Sequence, residues 1–111
     1  MCPTRAAAAR PLARTAALAR FDADLLDELA AAEVPDGSLG DRLDVAAVAD
    51  LPPALRLRVL HRWLAHDAPE VHLAHVLAVD ELVTGWRGQR GVDVPAGTVR
   101  REHGQLVLGA R

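Results

Sequence analysis

The sequence contains no lysine, isoleucine or tyrosine, one cysteine, Cys2, and three aromatic side chains, Phe21, Trp63 and Trp86, in 111 residues. A lone cysteine excludes an internal disulfide and a cysteine-built metal site, and it suits a reducing cytoplasm. Scarce aromatics and abundant alanine exclude a large core, so stability should be modest. The formal net charge of −2 excludes nucleic-acid binding driven by overall charge. It leaves local basic faces, all of them arginine. No apolar run approaches the length of a membrane span. The start has arginines at 5, 10, 14 and 20 among alanines, without the continuous apolar segment of a signal peptide. Glycines never adjoin one another, and the single serine, Ser38, has no nucleophile motif around it. No phosphate-cradling loop and no catalytic residue is therefore expected in this chain.

What the sequence does hold is helical periodicity followed by alternation. The pattern predicts a mostly α chain with a small C-terminal β element, a bundle of short helices plus an antiparallel β hairpin. From Leu12 to about Val34, Leu12, Leu18, Phe21, Leu25, Leu29 and Ala32 form one stripe, with Asp22, Asp24, Asp27 and Glu28 mostly facing away. Pro35 and Asp36-Gly37 end that helix. Asp44 is placed to cap a short helix from Val45 to Asp50, and Pro52-Pro53 open the next. Pro69 is expected to start a further helix that reaches Gly85 or Trp86, carrying Val71, Val76, Ala78, Val79, Leu82, Val83 and Trp86 on one face. Beyond Gly85, Val92-Asp93-Val94, Thr98–Glu102 and Gln105–Leu108 read as strands, the last two joined through His103-Gly104. Three segments result: residues 1–11, rich in Ala and Arg; 12–86, helical; and 87–111, ending in the hairpin.

The helix after Pro52-Pro53 organises the rest. Leu55, Leu57, Val59, Leu60, Trp63 and Leu64 cover one arc of it, and Arg58, His61, Arg62 and His66 the other. Arg56 falls within the apolar arc and is expected to extend its stem past the helix end. Arg87 and Arg90 sit in a glycine-rich bend, and alternation sends Arg100 and Arg101 to opposite faces of a strand. Planar guanidinium forks suit phosphate oxygens, which makes Arg58, Arg62, Arg87, Arg90, Arg100 and Arg101 candidate RNA contacts; a solvated face is the commoner reason for such residues. His72 and His75 fall inside the apolar arc of their helix, where backbone partners are a better expectation than a metal.

Three blocks, taken in order, resemble one family. They are Leu12-Ala13-Arg14-Thr15-Ala16-Ala17-Leu18 with Asp22-Ala23-Asp24; Leu43-Asp44-Val45 leading into the Pro52-Pro53 helix; and His75 through Gln89 with Val92-Asp93-Val94-Pro95. Together they look like the C-terminal part of bacterial tRNA(Ile)-lysidine synthases, in their actinobacterial form. The resemblance implies a substrate-binding region of enzymes that use ATP and Mg to adenylate the wobble cytidine of a tRNA(Ile) with a CAU anticodon, after which lysine displaces AMP. In those enzymes a separate N-terminal domain with a Ser-Gly-Gly-x-Asp-Ser loop does the chemistry. That loop has no counterpart here, so no cofactor and no catalysis are expected from this chain. The family's usual Leu-Pro-Gly-Gly turn reads Val94-Pro95-Ala96-Gly97.

Two functions follow as expectations. One is a tRNA-contacting module in the cytoplasm, with no membrane and no DNA partner. The alternative is an interaction module that packs on a separate catalytic domain or self-associates, with Arg56, Trp63 and Trp86 as contact residues. Groove reading of DNA is poor chemistry here, because the helix after Pro69 carries Asp80 and Glu81 and no arginine before Arg87.

Overall fold

The computed structural model describes residues 5–33 and 40–110, with side chains from residue 14 onward. The turn expected at Pro35, Asp36 and Gly37, together with Ser38 and Cys2, lies outside the described residues. Among the described residues, four helices, α1 (Arg5–Glu33), α2 (Val45–Ala49), α3 (Pro53–Ala65) and α4 (Leu73–Thr84), stand with four strands, β1 (Arg42–Asp44), β2 (Val92–Val94), β3 (Gly97–Glu102) and β4 (Gln105–Gly109). The chain is thus mostly helical with a small C-terminal β element, as its periodicity predicts, but the sheet is larger than a hairpin.

All pairings are antiparallel, in the order β1-β4-β3-β2. β1 is absent from the sequence reading because three residues ending in Asp44 read as a helix cap. The cap itself is a correction: no side-chain bond joins Asp44 to α2. Its Oδ1 accepts from Gln105 Nε2 at 2.8 Å, and the first amide of α2, on Val45, is satisfied by the Gly104 carbonyl at 3.0 Å. The sheet has taken over the role expected of a side chain. At this same end of the sheet, Glu102 pairs with Gln105 across a two-residue loop in which His103 and Gly104 have φ of 51° and 77°. Two left-handed centres are what a type I′ hairpin requires.

Leu43, Val94, Val99, Leu106 and Leu108 cover the inner face of the sheet, and Val48, Val59, Leu60, Trp63, Leu64, Val76, Val79 and Leu82 meet them from the helices. Trp63 Nε1 donates to the Gly40 carbonyl at 3.0 Å, so the one fully buried aromatic also has its polar atom paired.

Two helices depart from expectation. α1 packs on α3, but through Ala23, Leu26, Asp27 and Ala30, whose angular positions cluster on one side. The predicted stripe points the opposite way: Leu18, Phe21, Leu25 and Leu29 are 58%, 68%, 54% and 43% exposed. Periodicity found an apolar face, and close approach to α3 selected the face across the helix from it, where Ala23 and Ala30 leave room. α1 also runs across residue 11, where the sequence suggested a boundary. α4 begins at Leu73, four residues after Pro69, because the His72 amide donates to His75 Nδ1 at 2.9 Å and the two rings stack. That local bond replaces the backbone carbonyl partner expected for His75.

Candidate nucleic-acid interface

The structure places five of the six candidate arginines in two surface hollows, and Arg87 lines neither. Arg58 and Arg62 line the first, of about 540 Å³, with His61 on α3, His66 at its C-terminal cap, and Asp27 and Ala30 on α1. Helical spacing brings these arginines and histidines to one face, as expected. α1 then adds an opposing charge that the sequence reading missed. Arg58 Nη1 donates to Asp27 Oδ1 at 2.7 Å, with both side chains well exposed. Arg62 has no hydrogen-bond or ion-pair partner among the described residues.

The second hollow, of about 340 Å³, lies where β2 stops. β2 accompanies β3 only as far as Val92 opposite Val99, and the segment leading into β2 passes along the rest of β3. Gln89, Arg90, Thr98, Arg100, Arg101 and Glu102 line this space. Gly91 permits the close passage: a Cβ there would stand 2.6 Å from the Thr98 methyl and 2.9 Å from the Val99 carbonyl. Arg90 and Arg100 are exposed and, among the described residues, unpartnered.

Arg101, on the inner side of β3, reaches the C-terminal end of α4, as the alternation of the strand requires. Its Nη1 donates to the Leu82 carbonyl at 2.9 Å and the Val83 carbonyl at 3.4 Å, and its guanidinium lies 5.3 Å from the centroid of the Trp86 ring. A cation at the negative end of a helix is favourable, and it supplies carbonyls that the helix cannot bond internally. Gln89 completes this end. Its Nε2 donates to the Gly85 and Glu81 carbonyls at 3.3 and 3.4 Å, while its Oε1 accepts from the Arg87 amide at 2.7 Å. The glycine-rich bend is therefore bonded to α4, with the Arg87 side chain exposed at its apex.

Of the residues expected at a domain contact, two face inward. Trp63 is 2% exposed in the core. Arg56 forms a two-bond pair across the α3–α4 junction, Nε to Asp80 Oδ1 at 2.6 Å and Nη2 to Asp80 Oδ2 at 3.1 Å, with Nη1 reaching the Leu51 carbonyl at 3.3 Å. It does not extend past the helix end. Its hydrogen bonds to Asp80 raise its pKa above the ordinary arginine value; partial burial opposes the shift, and the carboxylate charge supports it. Trp86, expected to pack with α4's apolar face, is instead 40% exposed.

No three His, Cys, Asp or Glu side chains converge on a metal position among the described residues. No described helix is long and apolar enough to cross a membrane.

Comparison with known proteins narrows the reading. Residues 43–107 match the family model described as the TilS substrate binding domain. The chain is 47% identical over 104 residues to the tRNA(Ile)-lysidine synthase of Thermobifida fusca, covering 89% of this chain and 32% of that protein. Its identity to the tRNA(Ile)-lysidine synthase of Streptomyces coelicolor is 45% over 104 residues, covering 87% and 29%. For the Mycobacterium bovis protein of the same name it is 44% over 108 residues, covering 93% and 32%. The chain thus spans about a third of the length of the curated relatives it matches. No solved structure matches it.

Proposed function

We propose, from the premise that this chain belongs to the TilS substrate-binding domain family, that it binds tRNA(Ile) with a CAU anticodon and presents it to the catalytic part of a tRNA(Ile)-lysidine synthase. In this reading ATP and Mg act elsewhere in such an enzyme, and this chain's own work is to hold the nucleic acid. The observation that carries it is the grouping of exposed, unpartnered arginines, Arg62 in one hollow and Arg90 and Arg100 in the other, within a matched family domain. An unpartnered guanidinium breaks no ion pair when it meets a phosphate, and its fork can donate to two phosphate oxygens. Phosphate contacts of this kind position RNA, and they do not by themselves read sequence.

Salt dependence tests the proposal. Filter binding of the CAU-anticodon tRNA at about 50 and 200 mM salt should show affinity falling as salt rises, because each neutralised phosphate releases condensed counterions. An unrelated tRNA should bind more weakly. Equal binding of both would remove the substrate assignment, and no binding at low salt would remove the tRNA reading altogether.

A second reading has its own observation. Leu18, Phe21, Leu25 and Leu29 on α1 form an exposed apolar face, and the relatives extend well beyond the stretch matched here. We assign that face to contact with the catalytic part of the enzyme. Sedimentation of the chain as a well-folded monomer whose α1 face binds no separately expressed catalytic domain would count against it.

A further inference from the structure

We infer that Trp86 is a stacking platform for one unpaired nucleobase of the RNA, whose adjoining phosphate lies in the hollow of Arg90 and Arg100. The inference rests on the tRNA reading above and goes beyond it by assigning an aromatic contact and a single-stranded nucleotide as ligand.

Large aromatics are scarce in this chain, and Trp63 is buried while Trp86 is left 40% exposed. Nor is Trp86 loosely held. Arg101 stands 5.3 Å from its ring centroid and is itself fixed to the Leu82 and Val83 carbonyls. Gln89 ties the next turn of backbone to α4 through the Gly85 and Glu81 carbonyls. An exposed indole on a bonded support is pre-organised for stacking, because little side-chain freedom remains to be lost on binding. Arg101 is also the link to charge, since the same side chain that touches Trp86 lines the hollow shared by Arg90 and Arg100. A planar π surface beside guanidinium groups is the arrangement that holds one splayed-out nucleotide, base on the ring and phosphate on the cations. Arg101 further polarises the ring by its cation–π contact. A protein partner would use the apolar area of Trp86, yet three arginines around the hollow make a poor rim for an apolar contact and a good one for a phosphate.

Stacking and charge make separable contributions. The 111-residue chain is titrated with the CAU-anticodon tRNA and with a single-stranded RNA hexamer, following tryptophan fluorescence and filter binding. Both RNAs should quench the wild-type emission, and Trp86→Phe should remove the quench while leaving the Trp63 signal unmoved. Trp86→Ala should weaken binding on the order of ten-fold with the salt slope unchanged, since a base stack releases no counterions. Arg100→Ala should lower the slope by about 0.7, the share of one single-strand phosphate. Should Trp86→Ala lose its thermal transition, the quench and its disappearance in Trp86→Phe decide the matter.

Binding of tRNA without a quench, or with wild-type affinity in a folded Trp86→Ala, overturns this inference and leaves the tRNA reading standing. If that variant instead shifts the oligomeric state, Trp86 is a protein contact. No binding of any tRNA by the wild type overturns the tRNA reading; a quench by the hexamer alone would then keep the stacking site.

Discussion

The α1–α3 hollow and the sheet-edge hollow contain the same residue type and differ in what stands against it. In the first, Arg58 is already paired with Asp27, and the His61 and His66 imidazoles share the face with the arginines. In the second, three arginines face one glutamate, and the arginine that is tied down, Arg101, is held by backbone carbonyls that leave its charge in place. A count of arginines, two against three, says nothing of what opposes them. The local field depends on it, because a carboxylate neutralises a guanidinium whereas a carbonyl only orients it. Arg56 is the limiting case, an arginine in the most basic helix whose charge is spent entirely inside the molecule.

The comparison can be broken at several points. The largest effect should come from Asp80→Ala, which strands Arg56 in a nearly buried site and should lower stability in urea unfolding by about 2–3 kcal/mol. A change below about 0.5 kcal/mol would put Arg56 back among the surface arginines. Next, Arg90→Ala combined with Arg100→Ala should lower the salt slope of tRNA binding by about 1.4, against about 0.7 for Arg62→Ala, both without loss of stability. A larger loss from Arg62→Ala would reverse the ranking of the hollows. Asp27→Asn, by removing the opposing carboxylate, should tighten tRNA binding roughly three-fold at low salt, and the gain should vanish at high salt. Asp27→Asn in an Arg58→Ala background separates direct repulsion of phosphate from the release of Arg58. The smallest effect is a control on the sheet side: His103→Asn suits the left-handed φ of 51° better and should add a few tenths of a kcal/mol to unfolding stability with no change in RNA affinity.

Several elements were legible from sequence for identifiable reasons. α3 announced itself through Pro52-Pro53 and an unbroken helical period, and the His103-Gly104 link fixed the register of β3 on β4. What escaped depended on partners remote in the chain. Arg56 was an outlier on its helix until Asp80, on α4, came opposite. β1 has three residues, too few for alternation to register, and exists because β4 offers it an edge. On α1 the strongest apolar stripe was read correctly as a stripe and wrongly as the packed face, since the choice between two faces was made by α3. The same holds for the candidate site. Arg58, Arg62, Arg90 and Arg100 could be nominated by residue type, but Asp27 against Arg58 and Trp86 against Arg101 are facts of packing. Trp86 carried a signal that could have been used: an aromatic next to Gly85, past the end of an apolar helix, has no turn left on which to bury itself.

One pairing bears on how such a unit travels between proteins. Arg42 stands opposite Val107, and the Leu108 amide bonds to the Asp41 carbonyl at 2.7 Å, so the stretch matched to the family enters and leaves through neighbouring strands. A turn of a few residues would carry β4 directly into β1. The unit can accordingly be permuted, opened at His103-Gly104 and closed across that seam, with the contacts of α2, α3 and α4 retained. Such a permutant would present the Trp86 surface on a chain that begins and ends at the His103-Gly104 turn.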